Sequence, residues 1–147
     1  MRLPQVVVYE SDGWLATQVA DVAKEHGWLV REARQAEACL NFLHESRPSL
    51  LLLKLERKLV DELALLAAIK EKAPDCPVVV FSFVKLENAQ QRSNLAGLAY
   101  DLGARYIMFP PLVRNVIEDV VVGLMEATIQ RCHIPTGAAH RPYSNAP

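Results

Sequence analysis

The chain has 147 residues, 51% of them hydrophobic and 22% charged, with a formal net charge of -1. That length supplies one ordinary hydrophobic core, and the near balance of charge lacks the basic footprint of a nucleic-acid binder. No apolar stretch reaches the length that spans a bilayer, and Met1-Arg2-Leu3-Pro4-Gln5-Val6 runs into a short apolar segment without a signal-type cleavage site, so a cytoplasmic location without membrane or nucleic-acid partners is expected.

Gln5-Val6-Val7-Val8-Tyr9 is a β-branched run that stops at Glu10-Ser11-Asp12-Gly13, the pattern of a strand leaving a core with carboxylates at its exit. From Trp14 to His26, Leu15, Val19, Val22 and Ala23 recur at helical spacing, and Gly27 stands where a left-handed cap residue is wanted. Trp28 to Ala33 suits a second strand. Gln35 to Glu45 suits a helix burying Ala36, Cys39, Leu40 and Leu43, ended by Ser46-Arg47-Pro48.

Ser49-Leu50-Leu51-Leu52-Leu53-Lys54-Leu55 is apolar except for one cation near its end. Bounded by Pro48 and by Glu56-Arg57-Lys58, it is the signature of a central strand buried on both faces. Leu63, Leu66, Ala67 and Ile69 give a third helix, closed by Ala73-Pro74-Asp75-Cys76-Pro77. Val78 to Phe83 is another buried strand with the Ser82 hydroxyl near its exit. Val84 to Leu102 is a loop feeding a fourth helix, Arg105 to Phe109 a last strand cut by Pro110-Pro111, and Leu112 to Arg131 a long apolar-rich helix. One domain over residues 1–131 is expected, followed by a disordered tail at 132–147, where prolines and small residues show no periodicity. Cys39, Cys76 and Cys132 form no CxxC pair, which points to reduced thiols and to neither a disulfide framework nor a zinc site.

Strand alternates with helix five times, which predicts a parallel sheet with helices on both faces. Sites in such sheets lie outside the carboxyl ends of the strands, which brings Glu10, Asp12, Lys54 and Ser82 to one edge. A plain reading of each exists. Lys54 would be a lysine snorkelling from a strand end, and Glu10 and Asp12 would cap the first helix.

From Gln5 to Glu126 the chain resembles the receiver domain of bacterial response regulators. Val7-Val8-Tyr9-Glu10-Ser11-Asp12-Gly13 resembles that family's first strand and acidic cluster, and Glu25-His26-Gly27-Trp28 its turn into the second strand. Asp61 falls where the family has Asp-Gly, with Glu62 in place of the glycine. Pro77-Val78-Val79-Val80-Phe81-Ser82 is similar to the fourth strand with its terminal hydroxyl, and Leu102-Gly103-Ala104-Arg105-Tyr106-Ile107 with Pro110-Pro111 to the approach to the Lys-Pro motif. The resemblance implies a flavodoxin-like (βα)5 three-layer sandwich, with the five-stranded parallel sheet ordered 2-1-3-4-5 and a cis bond before Pro111 or Pro110.

It also implies a degenerate site. Lys54 occupies the place of the phosphate-accepting aspartate, Ser11 replaces one member of the acidic pair, and the signal-reading lysine becomes Phe109 or Pro110. Only Ser82 is retained. The expectation is a non-enzymatic, phosphorylation-independent pseudo-receiver whose Lys54 pairs with Glu10 or Asp12, with no metal and no cofactor. Two alternatives are phosphorylation on an unorthodox acceptor such as Asp61, and a small-ligand sensor using Glu10, Lys54 and Ser82. Phe109 either packs in the core or faces a partner. An apolar stripe on the last helix (Val113, Val116, Val120, Val121 and Leu124), with Tyr106 nearby, is the expected surface for a protein partner or a second copy of the chain.

Overall fold

The computed structural model describes residues 2–133. Ten elements follow in strict alternation: β1 (Gln5–Tyr9), α1 (Trp14–His26), β2 (Leu29–Ala33), α2 (Ala36–Leu43), β3 (Ser49–Leu55), α3 (Leu59–Lys72), β4 (Val78–Ser82), α4 (Ala89–Asp101), β5 (Tyr106–Met108) and α5 (Arg114–His133). The strands form one parallel sheet in the order β2-β1-β3-β4-β5, the arrangement expected of a flavodoxin-like fold.

β3 is central because every residue in it is buried, and strands buried on both faces are the ones that read as unbroken apolar runs. Alternation along the strands splits the core in two. Val6, Val8, Leu50, Leu52, Val79 and Phe81 pack against Leu15, Val19 and Val22 of α1 and Ile117, Val121 and Met125 of α5. Val7, Leu51, Leu53, Leu55, Val78 and Val80 pack on the other face against Cys39 and Leu43 of α2, Leu65, Leu66 and Ile69 of α3, and Leu95 and Ala99 of α4.

Gly27 closes α1 in the left-handed region with φ 74°, its N–H returning to Lys24 and the Trp28 N–H to Ala23, which turns the chain directly into β2. Gly13, at φ 78°, makes the opposite corner between the exit of β1 and α1.

Three expectations change in detail. The second helix starts at Ala36 and stops at Leu43, and Ala36 is exposed, the fully buried positions of α2 being Cys39 and Leu43. The last helix starts two residues later than expected, at Arg114, and continues to His133, so the boundary at 131 gives way to a helix that carries Cys132 on its surface. Of the tail expected at 132–147, residues 134–147 lie outside the described residues. Pro110-Pro111 is cis, so Pro111 is the proline that follows the cis bond.

Candidate functional site

Register places the site. Tyr9 pairs with Leu53 across β1 and β3, so Glu10, the first residue past β1, comes out beside Lys54, the penultimate residue of β3. Lys54 shares the face of Leu50 and Leu52 and so points toward the start of α1, with only 3% of its side chain exposed. Its Nζ lies 3.0 Å from both Oδ1 and Oδ2 of Asp12, 3.4 Å from Glu56 Oε1 and 3.9 Å from Glu10 Oε1. The Asp12 contacts are charge-assisted hydrogen bonds, whereas Glu10 acts on the ammonium through space.

Both plain readings of the acids also hold. Glu10 Oε1 accepts the Leu15 N–H at 2.8 Å and Oε2 the Ala16 N–H at 2.9 Å, while Asp12 Oδ1 accepts the Trp14 N–H at 3.1 Å. These are donors of the first turn of α1, which have no partner within the helix. The same carboxylates therefore anchor the helix and surround the lysine, so the plain and functional readings merge.

The two acids respond oppositely to their surroundings. Burial pushes the Glu10 carboxyl up, against the Leu15 and Ala16 N–H groups and the Lys54 charge, which favour the ionised form. Asp12, with 55% of its side chain exposed, is pulled below the ordinary carboxylate range, first by the Lys54 hydrogen bond and then by the Trp14 N–H. A depressed carboxyl contributes stability that is complete above its unfolded value and is lost as pH falls through its folded value. A raised one does the reverse, so the Glu10 contribution weakens as pH rises through its range. Asp12→Asn is accordingly expected to lower Tm at neutral pH and to flatten the acid side of the stability profile. The loss stays below about 1 kcal/mol because Asp12, more than half exposed, is screened by solvent and Lys54 keeps Glu56 and Glu10 nearby. Thermal melts of both proteins from acid to neutral pH check this.

Glu56 completes the cluster, and sequence reasoning did not find it. Its Oε2 accepts the Ser11 hydroxyl at 3.0 Å while Oε1 faces Lys54, and its N–H donates to Glu62 Oε1 at 3.0 Å. Glu62 is buried in the first turn of α3 and holds the strand exit down, its carboxyl raised first by burial. The only signal was spacing. Glu56 is two residues beyond Lys54, the interval that returns a side chain to the same side of an extended chain.

Aromatic rings form the remaining wall. The Lys54 ammonium is 4.3 Å from the Phe83 ring centroid and 5.9 Å from that of Trp14, and the two rings meet edge to face at 5.6 Å.

The other expected site residues fall apart from this centre. Ser82 is buried, its Oγ accepts the Val84 N–H at 3.4 Å, and it makes no hydrogen bond to Lys54 among the described residues. Phe109 is half-buried among the side chains on the α3 and α4 face, with the Arg92 guanidinium 4.9 Å over its ring. Pro110 is exposed. Asp61 is exposed in the first turn of α3. Of the expected partner surface, Tyr106, Val113 and Val116 are exposed and Val120 is half-buried. Val121 and Leu124 are corrected: both are buried with α1 and the sheet, because α5 spends that side of its stripe on the chain's own core.

A hard divalent cation needs carboxylate oxygens converging on one point. Here that point is the Lys54 ammonium, and among the described residues no group of three or more His, Cys, Asp or Glu side chains is arranged to hold a metal ion. The residues present do not fit the magnesium ion that the family resemblance would bring. In energy terms, a pair at about 4 Å and an effective dielectric near 20 gains roughly 4 kcal/mol before desolvation of the buried lysine and Glu10 is subtracted. The net contribution is smaller, and the geometric effect is to fix the mouth of the sheet.

No protein-family model matches the sequence, and no curated protein matches it. Solved structures do match. A response regulator from Thermotoga maritima superposes with a TM-score of 0.68 at 20% identity, over 85% of this chain and 99% of that one. A CheY-like response regulator receiver domain protein from Methanospirillum hungatei JF-1 gives 0.67 at 12% identity, over 88% and 99%. NtrX from Brucella abortus, solved in complex with ADP, gives 0.65 at 23% identity; the match covers 89% of this chain but only 28% of that longer one. The chain has the fold of a response-regulator receiver domain.

Proposed function

We propose that the chain is a receiver-like module of two-component signalling that works through protein contacts in one fixed state, outside the phosphorylation cycle. The observation that carries this reading is Lys54, buried at the exit of β3 with its ammonium bonded to Asp12 and close to Glu56 and Glu10. A phosphoryl acceptor must be a nucleophile whose oxygen forms the acyl phosphate, and a protonated amine held by carboxylates offers no lone pair. On this reading the chain is not an enzyme, needs no cofactor and acts in the cytoplasm.

Its outlet is the exposed part of the expected surface, Tyr106 on β5 with Val113 and Val116 near the start of α5, offered to another protein or to a second copy. The small-ligand alternative draws less support, since the cation that would hold an anionic ligand is already occupied by Asp12.

Incubation with a small phosphodonor and Mg²⁺, followed by intact-mass and peptide analysis, tests the reading. No aspartyl phosphate is expected at any position. An adduct at Asp61 or Asp12 would replace it with the reading of an unorthodox acceptor.

A further inference from the structure

Phe83 follows the buried end of β4 and opens the irregular segment 83–88 that leads to α4. Its backbone N–H is tied to Leu55 O at 2.8 Å, one residue beyond Lys54, so the base of the side chain is fixed beside the charge cluster. The ring lies over the ammonium with its centroid 4.3 Å away, yet the residue is 38% exposed. Burial of the rest of the ring favours this placement but does not fix which way its face turns. Turning the ring onto a desolvated cation gives it a specific reason to stay. Trp14 supports it edge-on at 5.6 Å from the start of α1. Beyond Phe83, the Val84 N–H is held by Ser82 Oγ and the Glu87 N–H by Gln91 Oε1 at 2.7 Å, and the first turn of α4 places Arg92 over Phe109 at the end of β5. The segment is therefore held at its start beside the cluster and at its end against α4, whose Arg92 reaches the edge of the sheet.

We propose that Phe83 is a positioning residue that ties the 83–88 segment to the Lys54 ammonium, so that the charge at position 54 sets the conformation of the path into α4. This goes beyond the proposed function, because the contact operates whether or not any aspartate in the chain accepts a phosphoryl group. It assigns to the ring the link between cluster and segment, since Ser82 is turned to Val84 and makes no bond to the lysine.

Hydrogen exchange of the Val84 and Glu87 amides, normalised to core amides of β1 and β3, tests the proposal in the unmodified chain, Phe83→Leu, Phe83→Tyr, Lys54→Met and the Phe83→Leu/Lys54→Met double variant. Losing the cation–π contact is expected to speed exchange roughly threefold to tenfold in Phe83→Leu and in Lys54→Met. Phe83→Tyr, which keeps a ring face, is expected to exchange like the unmodified chain, and the double variant no faster than the faster single one. Unchanged exchange in Phe83→Leu, equal acceleration in Phe83→Tyr and Phe83→Leu, or fully additive acceleration in the double variant would each overturn it. Normalisation separates this local opening from the global destabilisation that Lys54→Met brings.

Discussion

Lys54→Met is expected to destabilise the fold by about 3 kcal/mol and to lower Tm by roughly 10 °C. Methionine is unbranched, only one heavy atom shorter than lysine, and packs well against Trp14 and Phe83, so the loss reports mainly the charge rather than a cavity. Removing one partner of a buried pair costs about 3–5 kcal/mol in general, because the other charge is left uncompensated. The lower end applies here. Asp12 is mostly in water, and Glu10 keeps its two backbone donors, so only part of the negative charge is stranded. The pH dependence identifies the cause. As pH falls through the carboxylate range the acids take up protons and no longer need a cation, so the deficit of the variant should shrink, whereas a packing defect would persist. Denaturant titrations at acid and neutral pH read both quantities.

The second large effect is a gain. Lys54→Asp is expected to give the chain Mg²⁺ affinity, because the substitution removes the ammonium from the point where Asp12, Glu56 and Glu10 converge and supplies a further carboxylate at the sheet edge. Without metal this variant should be less stable than Lys54→Met, since crowded acids repel one another. With millimolar Mg²⁺ it should recover, because a ligand that binds only the native state stabilises it by RT ln(1 + [L]/Kd). A metal-dependent rise in Tm in the variant is the readout.

Much of this was legible in the amino-acid order. The leucine run of β3, bounded by Pro48 and by charges, read as a strand buried on both faces, the alternation of strands and helices argued for a parallel sheet, and the exits of β1 and β3 brought Glu10, Asp12 and Lys54 to one edge. The rest needed coordinates for physical reasons. Glu56 joins the cluster only once the bend that follows Leu55 is seen to keep its carboxylate beside Lys54 and Ser11. Trp14 and Phe83 lie on different elements, and no periodicity within either segment announces that their rings meet across the lysine. The stripe of α5 was visible, but a stripe does not say which side faces the chain's own α1; that contact takes Val121 and Leu124 and leaves Val113 and Val116 outside. Ser82 looked like a retained reader of charge, yet its hydroxyl serves the turn that follows it.

Three carboxylates against one ammonium leave the cluster net negative, with the excess on the exposed Asp12 and the half-buried Glu56. Whether Lys54 is the resident cation of this site or merely a neighbour of a metal-binding one is therefore a direct experimental question. Mg²⁺ titrated into the unmodified chain alongside Lys54→Asp, with the backbone amide resonances of residues 10–12 and 54–56 followed by NMR, answers it. The account predicts saturable shifts in the variant and none in the unmodified chain; saturable shifts at those amides in the unmodified chain would contradict it.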